Sequence, residues 1–200
     1  MDGTAWASSA MVAARTRLEI ATDNVANVSS DGFARTVARG FLTPRGVEVV
    51  GEPAGGHGAL RHTGRDFDLA IVGAGAFEVR DGAGHVVRTR AGAFTRERDG
   101  TLRDAGGRTL IGTDGVLRVP DGARIDERGR VLSGERIVGT IVLPPGSSVH
   151  AGYLESSSVD AITEMIDVLS ATRSFESAEK VVAAIDGARQ KSAGEVARIK

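Results

Sequence analysis

The side chains that could do chemistry are few and scattered. Ser147, Ser148 and His150 stand close together, as a nucleophile and base would, but no G-x-S-x-G turn surrounds them. They read as part of a loop before a helix. His57 and His62 lie in a glycine-rich stretch, with His85 elsewhere, and no H-x-x-x-H pair or cysteine accompanies them as a zinc site requires. Gly73-Ala74-Gly75 follows an apolar run, as in a dinucleotide fingerprint, yet Glu78 stands where the third glycine belongs and no helix follows. A turn between two strands is the better reading. The Asp-Gly pairs carry carboxylates that could attract calcium, but none has the D-x-[DN]-x-[DN]-G spacing. The residues present therefore imply no catalytic centre, cofactor site or metal site.

Composition narrows the classes further. The 200 residues carry a formal net charge of −1 with the signs mixed throughout, which suits neither nucleic acid nor an anionic membrane. Lys180, Lys191 and Lys200 are the only lysines, so almost every positive charge is an arginine. The absence of cysteine excludes disulfides and suits passage through an oxidising compartment. No apolar run approaches the ~20 residues of a membrane-spanning helix. The N-terminal stretch is not expected to be a secretory signal, because Asp2, Arg15 and Arg17 interrupt any apolar core.

What remains is architecture. From residue 4 to 28, Ala7, Met11, Ala14, Leu18, Ala21, Val25 and Val28 alternate at spacings of four and three. This is the narrow seam of a helix that needs a partner helix, and the alanines at every second layer would let that partner approach closely. Val168, Ala171, Phe175, Ala178, Val182 and Ile185 repeat the pattern in a second long helix. Ser157 and Asp160 have the spacing of a capping box at its start. Residues 33–66, with Pro44, Pro53 and Gly55-Gly56-His57-Gly58, read as an extended arm or linker with room for one strand pair. From Phe67 to Leu143 the period becomes two, and Asp-Gly and Gly-Gly turn signals recur at short intervals. The expected fold is mainly β with terminal helices: an N-terminal assembly helix over 1–32, an arm over 33–66, an all-β domain over 67–150 and a C-terminal assembly helix over 151–200. The helices are expected to form a coiled-coil-like stalk.

With that order in hand, the chain resembles the bacterial flagellar axial proteins, above all the basal-body rod proteins. The family's N-L-A-N-V-x-x-x-G-F segment is matched by Asn24-Val25-Ala26-Asn27-Val28 and Gly32-Phe33. Its T-G-R-x-x-D-x-A-I is matched by Thr63-Gly64-Arg65, Asp68, Ala70 and Ile71, followed by Gly73, Gly75 and Phe77. Thr89-Arg90, Gly92 and Phe94 match T-R-x-G-x-F, with Asp99-Gly100-Thr101-Leu102 after it. The C-terminal run appears as Gly152, Leu154-Glu155, Ser157, Val159, Glu164-Met165, Arg173, Phe175 and Glu176. The chain departs from the pattern at Asp31, Arg88 and Ser158. It is also short between Leu143 and Gly152, where closing strands are expected to be missing.

The resemblance implies a non-enzymatic subunit of the shaft joining motor to hook, located in the basal body within the periplasm. It implies export through the flagellar type III apparatus without a cleaved signal, self-association, and other rod and hook subunits as partners. It also implies terminal segments that order only on assembly. Met11, Leu18, Val25, Val28, Val168, Phe175, Val182 and Ile185 are the candidate subunit contacts along the seams. Asn24 and Asn27 beside the seam would cap or cross-link neighbouring chains. Phe33 would act as a local staple or as a knob for the next subunit, and Arg173 would pair with a carboxylate across a boundary. The competing reading is a ligand- or glycan-binding β module on a permanent helical stalk. A deep pocket with converging polar side chains would favour it.

Overall fold

A computed structural model of the chain describes the backbone of residues 3–198 and side chains as far as Lys191. Two helices, α1 (Gly3–Ala26) and α2 (Ala161–Arg198), lie at the ends of the chain, with fifteen short strands between them. The chain divides into two units. The first takes α1, residues 35–55 and α2, and the second takes residues 29–34 and 56–158.

In the first unit α1 and α2 pack together antiparallel. Asn24 near the end of α1 bonds to Glu164 near the start of α2, and Gly3 lies beside Ile185. The seam expected from the sequence is the buried one: Ala7, Ala14 and Ala21 on α1, and Ala171 and Ala178 on α2, are all under 10% exposed. The larger seam residues Met11, Leu18, Val25, Val168, Phe175, Val182 and Ile185 are half-buried between them. The sequence leaves each helix in need of a partner, and here the partner is in the same chain. Residues within the expected arm form a regular hairpin. β1 (Thr36–Thr43) and β2 (Gly46–Pro53) pair antiparallel along eight residues each.

This hairpin covers a second face of α1, which accounts for its burial pattern. The Ser9 hydroxyl accepts the Val47 amide at 3.1 Å, Ile20 lies beside Gly51, and Ala13 is buried. A single-seam reading of α1 misses this face because its residues, Trp6, Ser9, Ala13 and Ile20, mix small, polar and apolar types. α1 ends at Ala26, so Val28 falls in the following turn and is 37% exposed. The start of α2 also differs from the capping-box expectation. Asp160, not Ser157, is the cap: its Oδ1 accepts the Thr163 amide at 2.7 Å.

The second unit is all β. A six-stranded sheet has the order β6 (Val86–Thr89), β5 (Phe77–Arg80), β9 (Thr109–Gly112), β8 (Leu102–Arg103), β7 (Thr95–Arg96), with β10 (Gly115–Val116) on β9. A three-stranded sheet holds β11 (Arg124–Ile125), β12 (Arg130–Ser133) and β13 (Arg136–Thr140). The closing strands expected to be missing are present. β14 (Ser148–Ala151) pairs with β4 (Leu69–Val72), and β15 (Tyr153–Glu155) with β3 (Leu60–His62). Phe77 and Phe94, both buried, meet edge to face at 5.5 Å in the middle of the core. Strict alternation fails in β4, where Leu69, Ala70 and Ile71 are all buried along with Asp68 just before it.

The turns repeat one design. In residues 81–85, 104–108 and 126–130 an aspartate pairs its backbone with the fifth residue, and the fourth is a glycine at positive φ. The aspartate Oδ1 accepts the amide of that fifth residue each time: His85, Arg108 or Arg130. The Asp81-Gly82 pair therefore marks the turn, but the left-handed residue is Gly84 (φ 92°). These bonds hold two of the carboxyls low. For Asp81 the leading cause is the His85 amide; for Asp126 burial opposes the shift and is outweighed by Arg130.

Candidate functional site

The residues expected to matter fall into three groups by environment. The first is a buried polar cluster in the first unit. Asn24 is 0% exposed, and its amide donates to the Thr36 carbonyl at 2.7 Å and to Glu164 Oε2 at 3.0 Å. The Thr36 amide returns a bond to Asn24 Oδ1 at 3.0 Å. Arg35 Nε donates to Glu164 Oε1, and its Nη2 reaches Asp167 at 3.3 Å. Asn24 is thus engaged within its own chain rather than offered to a neighbour. Asn27 bonds back to Asp23 on its own helix at 2.9 Å. Glu164 and Arg35 were not among the expected site residues. The signal was present for Glu164, which stands four residues before Val168, on the seam itself.

The second group is built around Arg90 in the second unit. Its guanidinium donates to Glu155 Oε2 at 2.6 Å and to the carbonyls of Ile71, Gly73 and Gly75 at 2.6 to 3.2 Å. The Gly73-Ala74-Gly75 turn is therefore a carbonyl cradle for a cation, not a phosphate loop. Glu155, 4% exposed, also accepts the Gly58 amide at 3.1 Å. Gly32 packs against the backbone just after this arginine: a Cβ there would meet Ala91 N at 2.3 Å, and φ is +69°. Phe33 follows, half-buried, and its carbonyl accepts the Ser158 amide at 3.0 Å. All three nitrogens of the guanidinium donate to protein acceptors, so its chemistry is structural.

The third group faces outward. On α2, Ile162, Met165, Ile166 and Leu169 are 71, 55, 61 and 60% exposed. Their spacing of three and four residues makes a second apolar stripe beside the buried seam. Met165 and Leu169 join Thr22, Val25 and Val168 around a groove of about 410 Å³. Arg173 lies one turn beyond Leu169 on the same stripe, exposed, with no ion-pair partner among the described residues. The four histidines do not converge, and no group of three metal-binding side chains occurs among the described residues. A hollow of about 450 Å³ in the second unit is lined by His62, Asp66 and Arg124, all exposed, together with small and apolar neighbours such as Ile125 and Ala151.

Comparison with known proteins bears on what such a surface serves. Residues 6–33 match the family model for flagella basal body rod proteins, and residues 70–159 match the D1 domain of the flagellar hook protein FlgE/F/G. Residues 150–194 match the C-terminal model of the flagellar basal body rod FlgEFG proteins. Among curated relatives, the flagellar basal-body rod protein FlgG of Agrobacterium fabrum is 26% identical, with 93% of this chain and 96% of that protein aligned. The alignment runs over 251 residues, more than this chain contains, so that relative carries internal segments absent here. FlgF of Mesorhizobium japonicum is 27% identical over 85% of this chain and 87% of its own length. The hook protein FlgE of Brucella abortus is 32% identical over 52% of this chain and 29% of its own. Three consecutive family models, the relatives aligned along nearly the whole chain and the helix–β–helix order agree: the chain belongs to the flagellar basal-body rod protein family.

Proposed function

We propose that this chain is a structural subunit of the flagellar basal-body rod that self-assembles, through the outward faces of its terminal helices, into the shaft linking motor and hook. As a member of a structural protein family it is not an enzyme. The observation that carries the reading is the exposed stripe Ile162, Met165, Ile166 and Leu169 on α2. The buried seam already has its partner in α1, so this stripe is a contiguous apolar surface of α2 left for a neighbour. Covering a large apolar side chain is worth about 1.5–3 kcal/mol, so four of them offer a useful gain even after the costs of association. Neighbouring rod and hook subunits are the proposed partners. Delivery through the type III export apparatus to the periplasmic part of the basal body completes the proposal. Arg173 at the end of the stripe would then meet a neighbour's carboxylate at the rim.

The test is Ile166→Glu with Leu169→Glu. Both side chains point to solvent, so helical content and the unfolding midpoint of the purified monomer should stay within error of the parent. Incorporation into basal bodies and swimming should be lost. Normal incorporation by the double variant would remove the stripe from assembly. The competing β-module reading asks for converging buried polar groups, and the exposed His62, Asp66 and Arg124 do not supply them.

A further inference from the structure

The pairing of α1 with α2 contains an ambiguity that its apolar residues do not resolve. On α1, Ala7, Ala14 and Ala21 alternate with larger side chains, and on α2 Ala171 and Ala178 alternate with valine and phenylalanine in the same seven-residue repeat. With Asn24 facing Glu164 and Gly3 facing Ile185, Ala7 and Ala14 lie level with Val182 and Phe175, and Met11 and Leu18 with Ala178 and Ala171. Sliding one helix by a heptad, ~10 Å at 1.5 Å per residue, again sets each alanine against a larger side chain. Apolar burial is then nearly unchanged over the shared length, so the seam discriminates weakly between the two registers.

We infer that Glu164 is the residue that fixes the register, by carrying a buried charge that only one axial position of α1 and its hairpin can satisfy. It occupies a seam position and is 1% exposed. Its two oxygens accept from Asn24 and Arg35, and Asn24 is itself tied to the β1 backbone in both directions. These donors are fixed to α1 and the hairpin, not to α2. A one-heptad slide that keeps each alanine against a larger side chain carries Glu164 away from both and sets it level with Arg17. Arg17 is exposed, and a pair made there is worth little. A buried carboxylate stripped of its partners is costly, whereas an apolar side chain at the same place is tolerated in either register. The charge thus trades stability for a single arrangement, as a lone polar residue does in a coiled-coil seam.

The absence of cysteine makes the test direct. Met11→Cys with Ala178→Cys reports the observed register, and Met11→Cys with Ala171→Cys reports the slid one. Oxidation is followed as the intramolecular disulfide of the dilute full-length monomer, with helical content recorded in parallel. With Glu164 present, the first pair should close at least about tenfold faster than the second. In Glu164→Leu the helices should remain paired, and the two rates should come within about threefold of each other. Glu164→Gln, which still accepts hydrogen bonds, should keep the preference for the first pair. An undiminished tenfold preference in Glu164→Leu overturns the inference. Loss of helix in that variant also overturns it, because the seam would then need the carboxylate for pairing itself.

Discussion

At the scale of single residues, the motif positions are explained by what they hold in place. Arg90 is the centre of the second unit: one guanidinium satisfies the buried carboxylate of Glu155 and three carbonyls of β4 and the turn that follows it. Its planar fork is matched by the spread of those acceptors, which a lysine ammonium could not bridge. Arg90→Met should therefore leave Glu155 buried without its guanidinium partner and cost about 3–5 kcal/mol, read as a lower urea midpoint. Arg90→Lys should recover only a minor part. A loss under about 1 kcal/mol would mean that Glu155 relaxes to solvent or finds another donor. The sequence marked Thr89-Arg90 and Glu155 as family positions but gave no sign that they meet. They lie 65 residues apart, and their pairing depends on where β15 is brought relative to the β4–β5 turn.

At the scale of elements, the start of α2 is set by Asp160. Its carboxylate pKa is held below the usual range, first by the Thr163 amide it accepts and then by the Thr163 hydroxyl side chain. The depressed value makes the cap a source of pH-dependent stability. Its contribution is complete above the unfolded carboxylate pKa and is lost as pH falls through the lower native one. Helix stability followed by circular dichroism should accordingly drop below about pH 4. Asp160→Asn should keep the cap and flatten that part of the profile, while Asp160→Ala should lower stability at neutral pH as well. An unchanged acid profile in Asp160→Asn would assign the acid sensitivity to other carboxylates. The end of α1, by contrast, was placed two residues late by the sequence. Val28 continues the heptad spacing, but the backbone has already turned at Asn27.

At the scale of the whole molecule, the main result is that the two terminal helices satisfy each other. Hydrogen exchange on the dilute monomer should therefore show slow amides in α1 and in the matching part of α2, residues 161–185, beside the slow core strands of the second unit. Fast exchange throughout both helices would restore the alternative in which neighbours must order them. Pairing within the chain also leaves the outer stripe of α2, and not the heptad seam, as an exposed apolar face of that helix.

The sequence by itself determined the helix–β–helix order, the phase of both seams and the turns between the short strands. Each of these follows from local rules: period, turn chemistry and residue type act over a few neighbours. Only the tertiary structure decided that residues 36–53 form a hairpin covering a second face of α1, and that Asn24 turns inward to Glu164 and Thr36. It alone showed that the apolar residues left over from the α2 seam make a continuous exposed stripe. A seam announces that it needs a partner, but its spacing is the same whether that partner lies in the same chain or in another. The choice is made by long-range contacts whose partners are more than a hundred residues apart, and periodicity carries no record of them.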